Sequence, residues 1–279
     1  MLKVERQAKI LQIVHERVFI ENEELARAFG VTSATIRRDL KSLSEQGLVR
    51  LDHGGSSVTG LIDSYVEPLY ETKVYLNHEA KLAIGMAAAA LVQEEDVIIL
   101  DSGTTNVQIA HSLRAMRPKR LTVVTCDLMV AKELCPDPSI DVILLGGTMR
   151  RFFYSTYGPY AEAVLKNLRA HKFFMGIDAA SREFGITNIV LEEVPIKQLS
   201  IQNSDQVIMV ADASKLGKNT LHRVCDWDSI DMVITDQCIT PGYLEFLKSR
   251  NIQTQVVVPQ SPKCNEASNN TDDTYTQDR

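Results

Sequence analysis

The sequence predicts an α/β protein in two parts: a small helical N-terminal module closed by a β-hairpin, and a larger C-terminal domain built on a mostly parallel sheet. Three observations lead there. Two short capped helices at residues 22–29 and 32–47 adjoin across a tight turn. From about residue 77, apolar strands alternate with helical stretches, the pattern of a parallel sheet covered on both faces. At 279 residues the chain also exceeds the usual size of one domain.

In chain order, residues 4–16 place Ala8, Ile10, Leu11, Ile13 and Val14 on a broad apolar face. The next helix, NEELARAF, carries Leu25, Ala26 and Phe29 inward, with Asn22 read as its cap and Gly30 as its stop. Thr32 then caps a helix whose Ile36, Leu40 and Leu43 recur at helical spacing, and Gly47 ends it. Ser33, Thr35, Arg37, Arg38 and Lys41 fall on its other side. Two capped helices joined by such a turn form a helix-turn-helix, whose second helix enters the major groove. The same residues also suit an ordinary helical hairpin with solvated arginines.

Residues 48–58 alternate around Gly54-Gly55 and read as a hairpin, which makes the module a winged helix with Arg50 and His53 near phosphate or the minor groove. His53 fits a plain turn residue equally well. The predicted division is a DNA-binding module at 1–58, a linker at 59–76, an α/β domain at 77–258 and a polar, disordered tail at 259–279.

Within the α/β domain an alanine-rich helix covers residues 81–92, and apolar strands are expected at 97–100, 122–125, 142–145, 173–175, 207–211, 232–234 and 256–258. Parallel sheets bind ligands at the carboxyl ends of their strands. The first strand ends in Asp101-Ser102-Gly103-Thr104-Thr105 before a helix, a loop that offers hydroxyls and backbone amides to an anion such as phosphate. A plain strand-to-helix turn with a hydroxyl cap accounts for the same loop. Later strand ends supply Gly146-Gly147, Gly176-Ile177-Asp178 and Asp212-Ala213-Ser214-Lys215, where Lys215 adds a positive charge, while Glu192 and Glu193 open a further helix.

Composition excludes several classes. Net charge is −6, from 30 Lys+Arg against 36 Asp+Glu, so the chain does not coat nucleic acid throughout. The first 57 residues hold nine Lys+Arg against eight Asp+Glu, a net +1, so basic groups act there by position. GxxxxGK[ST] and GxGxxG are absent, which argues against nucleotide hydrolysis and dinucleotide cofactors. Cys126, Cys135, Cys225, Cys238 and Cys264 are scattered without ligand spacing, so a reduced, metal-free, cytoplasmic protein with no cofactor is expected. No charged-then-apolar leader opens the sequence, and the apolar run at 86–92 is too short to span a bilayer.

Both halves resemble the DeoR-type family of bacterial sugar-metabolism regulators. The N-terminal resemblance runs through Glu5-Arg6, Glu24-Leu25-Ala26, Val31, Ala34-Thr35-Ile36-Arg37-Arg38-Asp39-Leu40, Glu45-Gln46-Gly47 and His53-Gly54-Gly55. The C-terminal one includes Asp101-Ser102-Gly103-Thr104-Thr105, Leu145-Gly146-Gly147, Gly158-Pro159, Asp178, Leu191-Glu192-Glu193, Lys197, Asp212, Ser214-Lys215, Gly217 and Ile234-Thr235-Asp236. The resemblance implies a repressor with a ribose-5-phosphate-isomerase-like sensor domain that leaves operator DNA when a phosphorylated sugar binds. Ser102, Gly103, Thr104 and Thr105 would hold the phosphate, and Asp178, Glu193 and Lys215 would face the sugar. Asp101 and Gly147 are taken into the same pocket. The chain departs from the family at Gly176-Ile177-Asp178-Ala179, where Gly-x-Asp-Gly is common, and at Thr125-Cys126-Asp127, where a Thr-Asn-Ser-like segment is common.

Two other readings stand beside the regulator. An aldose-ketose phosphate isomerase would use Asp178 or Glu193 as base and Lys215 to steady an enediolate, but would have no use for a winged helix. A sensor domain that only oligomerises needs no ligand. Since one winged helix contacts a short half-site, at least a homodimer is expected.

Overall fold

The computed structural model describes residues 1–17, 19–52, 54–57, 66–118 and 120–259. His53, residues 58–65 of the hairpin end and linker, and the tail from 260 onward lie outside the described residues.

The N-terminal part runs α1 (Lys3–Arg17), β1 (Phe19–Glu21), α2 (Asn22–Phe29), α3 (Ser33–Glu45), β2 (Arg50–Asp52) and β3 (Gly55–Ser57). Ile10, Leu11 and Val14 of α1, Leu25 of α2 and Ile36, Leu40 and Leu43 of α3 are buried in one core. Each such side chain contributes about 1.5–3 kcal/mol on burial. The expected hairpin is present and gains a third strand that the sequence reading missed: β1 pairs antiparallel with β3, which pairs with β2. Three residues are too few to show an alternation. The paired glycines have separate causes. Gly54 adopts φ +82°, and a Cβ on Gly55 would stand 2.4 Å from the Ile20 carbonyl oxygen.

Thr32 caps α3, its side chain accepting from the Thr35 amide at 3.3 Å, and Gly30 and Gly47 adopt left-handed φ of +63° and +75° as helix stops. Asn22 does not cap α2. The helix starts at Asn22, so the cap position is Glu21, without a side-chain bond, and the Asn22 amide donates to the Gly54 carbonyl at 2.9 Å.

A short helix, α4 (Tyr70–Lys73), leads to the larger part, which begins with α5 (His78–Ala89), β4 (Val97–Leu100), α6 (Thr104–Met116), β5 (Leu121–Thr125), α7 (Leu128–Leu134) and β6 (Ile140–Leu144). The hairpin β7 (Thr148–Arg150) and β8 (Ser155–Tyr157) and helix α8 (Pro159–Leu165) follow. Next come β9 (Ala170–Met175), β10 (Ala179–Ser181), β11 (Gly185–Asn188), α9 (Val194–Gln202), β12 (Ser204–Val210) and β13 (His222–Cys225). The described chain closes with β14 (Met232–Asp236), α10 (Pro241–Ser249) and β15 (Gln253–Val257).

All seven expected strands join one parallel sheet in the order β15-β14-β12-β9-β4-β5-β6. Its strands are apolar on both faces because both are covered: Ile98 and Leu100 enter one core cluster, Ile99 the other. The chain starts at β4, runs outward to β6, then returns to β9 on the other side of β4. The carboxyl ends of β4 and β9 are therefore neighbours at a topological switch point. Among the described residues no helix is long and apolar enough to cross a membrane, and no cluster of three or more His, Cys, Asp or Glu suits a metal ion. Among the described residues Cys126, Cys135 and Cys225 are free.

Candidate DNA-contact helix and effector cavity

Helix α3 buries Ile36, Asp39, Leu40 and Leu43 and turns Ala34, Arg37, Arg38 and Lys41 to solvent. Arg37 and Arg38 have no ion-pair partner among the described residues, so both guanidiniums are available to an anion or a guanine edge. Lys41 lies 3.9 Å from Glu45 and Arg50 3.2 Å from Asp52, both exposed pairs that a phosphate can displace at little cost. Ser33 and Thr35 are half-buried at the helix start, and the Thr35 hydroxyl lies 3.0 Å from that of Thr32, so it is partly engaged in its own cap.

Asp39 is the charged residue inside this apolar stripe. Arg6 of α1 donates to it at 2.6 Å, which fastens the outward helix to α1. Its signal in the sequence is an aspartate three residues after Ile36 on the buried side.

The carboxyl ends of β4, β9 and β12 open into a cavity of about 280 Å³. Ser102, Gly103, Thr104, Thr105, Asp178, Glu193 and Lys215 all line it. Gly147 does not. It stands at φ +149° against the Tyr157 carbonyl, where a Cβ would come within 2.3 Å, so its role is to let β7 fold back on β8. Asp101 is not part of the lining either. It is 3 % exposed beneath the loop, pairs with Lys197, and accepts from the amides of Ser102 at 2.8 Å and Gly176 at 3.0 Å. It fastens the ends of β4 and β9 together.

The loop is less open to an anion than its sequence suggests. The Ser102 amide is taken by Asp101, and the Gly103 amide donates to Asp127 at 2.8 Å. Asp127 is fully buried and also caps α7 by accepting from the Met129 and Val130 amides. Burial raises its carboxyl to about 6 against the pull of those amides. The amides of Thr104, Thr105 and Asn106 remain, at the N-terminus of a 13-residue helix.

Cations and carboxylates alternate around the wall. Arg150 pairs with Glu67 and lies 3.0 Å from Glu193, which also accepts from Asn188 at 3.0 Å. Lys73 lies 2.6 Å from Glu67. Asp178 accepts from the Ile189 amide at 2.9 Å, and although burial opposes its charge, Lys73 and Lys215 hold its pKa below the usual carboxylate value. Lys81 is buried and, among the described residues, its Nζ donates only to the Lys73 carbonyl, at 2.6 Å. Burial, with Lys215 and Lys73 nearby, outweighs the pull of Asp212 and lowers it to about 7.

A third wall comes from the N-terminal part. Leu11, Gln12 and Leu48 line the cavity, and Gln12 Nε2 donates to Asn77 Oδ1 at 2.9 Å. Asn77 in turn donates to Asp212 at 2.8 Å and to the Ser214 hydroxyl at 3.1 Å.

Comparison with known proteins gives this arrangement a family. A family model described as the DeoR C terminal sensor domain matches residues 76–237, and one described as the DeoR-like helix-turn-helix domain matches residues 6–59. The chain belongs to the DeoR family. Relatives along nearly its whole length are transcriptional regulators. They include GolR of Listeria innocua serovar 6a, 31% identical over 92% of this chain and 99% of its own, and GlpR of Haloferax volcanii, 32% identical over 90% and 97%. The glycerol-3-phosphate regulon repressor of Escherichia coli K12 is 28% identical over 92% of this chain and 100% of its own. Among solved structures, ribose 5-phosphate isomerase A of Methanocaldococcus jannaschii aligns with a TM-score of 0.37 at 16% identity over 50% of this chain and 55% of that one. The translation initiation factor eIF-2B of Pyrococcus horikoshii aligns at 0.42 and 14% over 78% and 74%. These two likenesses are too loose to carry an argument about chemistry.

In this DeoR-family chain the sequence reading missed Lys73, Asn77, Lys81, Asn106 and Arg150 as cavity residues. Lys81 left a signal, a lone lysine in an otherwise apolar, alanine-rich helix, and Asn106 directly follows Thr105 of the hydroxyl loop. The others reach the cavity through folds of the chain that no local pattern records.

Proposed function

We propose that the chain represses a carbohydrate-utilisation operon and leaves its operator when a phosphorylated sugar occupies the cavity. The observation that carries this reading is the shared wall: α1, which holds α3 through Arg6–Asp39, is bonded through Gln12 and Asn77 to the Asp212–Ser214 loop of the cavity. A guest that engages Ser214 or Asn77 competes for that bond and so bears on the DNA-contact helix.

The lining favours an anion. Lys73, Arg150, Lys197, Lys215 and Lys218, with Lys81 lowered to about 7, face Glu67, Asp178, Glu193 and Asp212, while Asp101 pairs with Lys197 beneath the lining. Lys81 and the amides at the start of α6 are the groups most in need of a negative partner, and that is the chemistry of a phosphate. A relative named for glycerol-3-phosphate supports the class of ligand.

The division of labour assigns DNA contact to residues 1–58, with base edges read by Ser33, Thr35, Arg37 and Arg38 and phosphates by Lys41 and Arg50, and assigns sensing to residues 77–258. The protein acts in the cytoplasm as at least a homodimer, since one winged helix spans only a half-site. Isomerase chemistry fits less well: Lys73 and Lys215 hold the Asp178 pKa below the usual carboxylate value, which weakens it as a base, and Glu193 is tied to Arg150 and Asn188.

Thermal unfolding of the full-length protein against a panel of sugar phosphates, paired with gel shifts on operator DNA, tests the reading. A ligand at 100 times its Kd adds about 2.7 kcal/mol of stability and should weaken the DNA complex in parallel. A flat panel, or turnover of a phosphosugar, would overturn it.

A further inference from the structure

Among the described residues, Asn106 is the one whose side chain has both polar atoms, Oδ1 and Nδ2, buried without a hydrogen-bond partner. It is 0 % exposed, in the first turn of α6, and lines the cavity. Two carboxylates of the same loop region are satisfied: Asp101 takes Lys197 and two amides, and Asp127 takes the Gly103 amide. An unpaired buried amide is costly, and a leucine of the same shape would avoid the cost. The site also keeps its opposite side bare. A Cβ on Gly176 would press on Asn106 Nδ2 at 3.3 Å and on the Ser102 carbonyl at 3.1 Å.

We propose that Asn106 reads a hydroxyl of the sugar portion of the effector, accepting from it at Oδ1 and donating to it at Nδ2. The chemistry selects this group. An amide presents an acceptor and a donor side by side, and a hydroxyl is both donor and acceptor. A carboxylate or a fully ionised phosphate monoester is an acceptor only and would leave Oδ1 unpaired. The phosphate is therefore held by the cations, and Asn106 distinguishes a sugar phosphate from a bare anion. This rests on the phosphosugar reading of the cavity and names the residue that supplies its selectivity. A site built to hydrogen-bond a hydroxyl discriminates strongly against guests that lack one.

The test is calorimetric titration of full-length Asn106→Leu with inorganic phosphate and with whichever sugar phosphates stabilise the wild type. Affinity for the sugar phosphate should fall about tenfold while that for inorganic phosphate stays at the wild-type value, and the unliganded variant should unfold no lower than wild type. Unchanged sugar-phosphate affinity overturns the assignment. So does an equal loss for both ligands, which marks a collapsed loop, or a lowered unfolding temperature, which marks an amide satisfied within the fold. Asn106→Ser, which keeps one hydroxyl, should bind the sugar phosphate with intermediate affinity; wild-type affinity in that variant would also overturn the assignment. If no sugar phosphate shifts the wild type, the phosphosugar reading fails, and this assignment with it. If one does and Asn106→Leu responds as wild type, only the assignment fails.

Discussion

The Nε of Arg6 on α1 lies 2.6 Å from Oδ2 of Asp39 on α3, with the two side chains 11 % and 2 % exposed. Helix α3 is thereby fixed by a buried ion pair as well as by its apolar face. Removing one partner strands the other charge. Arg6→Met should cost about 3–5 kcal/mol in urea unfolding, and Arg6→Met with Asp39→Leu should recover most of it. A single variant as stable as wild type would show that the pair is not what holds α3.

Among the described residues Arg37 and Arg38 stand outward without ion-pair partners, so their removal should spare stability and weaken operator binding. An arginine paired with guanine is worth about 1–3 kcal/mol of discrimination, and Arg37→Ala or Arg38→Ala should also relax sequence preference. Gel shifts of both variants at moderate salt check this. Wild-type binding by both would reassign the groove-facing side.

The Gln12–Asn77 bond predicts a variant that binds ligand without responding to it. Gln12→Met keeps the length of the side chain and removes its hydrogen bond, while Asn77, Asp212 and Ser214 remain in place. Its ligand-induced thermal shift should match wild type. The ratio of operator affinities without and with ligand should drop from the usual coupling range, about 5–150-fold, toward unity. An unchanged ratio would place the coupling elsewhere, such as Leu76 and Val66, which pack on the N-terminal core.

Lys81 predicts a pH dependence. The folded chain releases its proton near pH 7, whereas the unfolded chain keeps it to about 10.5, so between these values the unfolded state binds more protons. Stability should therefore rise with pH across this window, and burying the charged amine costs most below pH 7. Lys81→Met should unfold at a higher temperature than wild type near pH 6, with the gap closing toward pH 10, and should lose stabilisation by phosphate. Unfolding temperatures measured from pH 6 to 10 decide the point. A variant less stable than wild type at pH 6 would mean that Lys81 is better paired than its single bond to the Lys73 carbonyl indicates.

Much of the candidate site was legible because it sits at strand ends. Asp178 and Lys215 follow apolar runs whose period already marks β9 and β12, and Ser102 follows β4. Gly147 also follows a strand, yet β6 is the edge of the sheet, far from the switch point, and its loop turns into the β7–β8 hairpin instead. Strand order makes the difference between the two outcomes. Asp127 shows the same limit: its departure from the family pattern was visible, but its hold on the Gly103 amide was not.

By itself the sequence determined the elements: helical spacing in α1 to α3, the caps at Thr32 and Gly47, and the seven apolar strands of a parallel sheet, because each rests on hydrogen bonds and burial patterns that repeat over a few residues. Tertiary structure alone decided that α1 walls the cavity, that Arg6 fastens α3, and that Lys81 and Asn106 lie buried and poorly paired. Gln12 and Asn77 are 65 positions apart, and Asn77 and Asp212 are 135 apart. Such contacts depend on the order of strands and the docking of one core on another, and no local period of side chains encodes either.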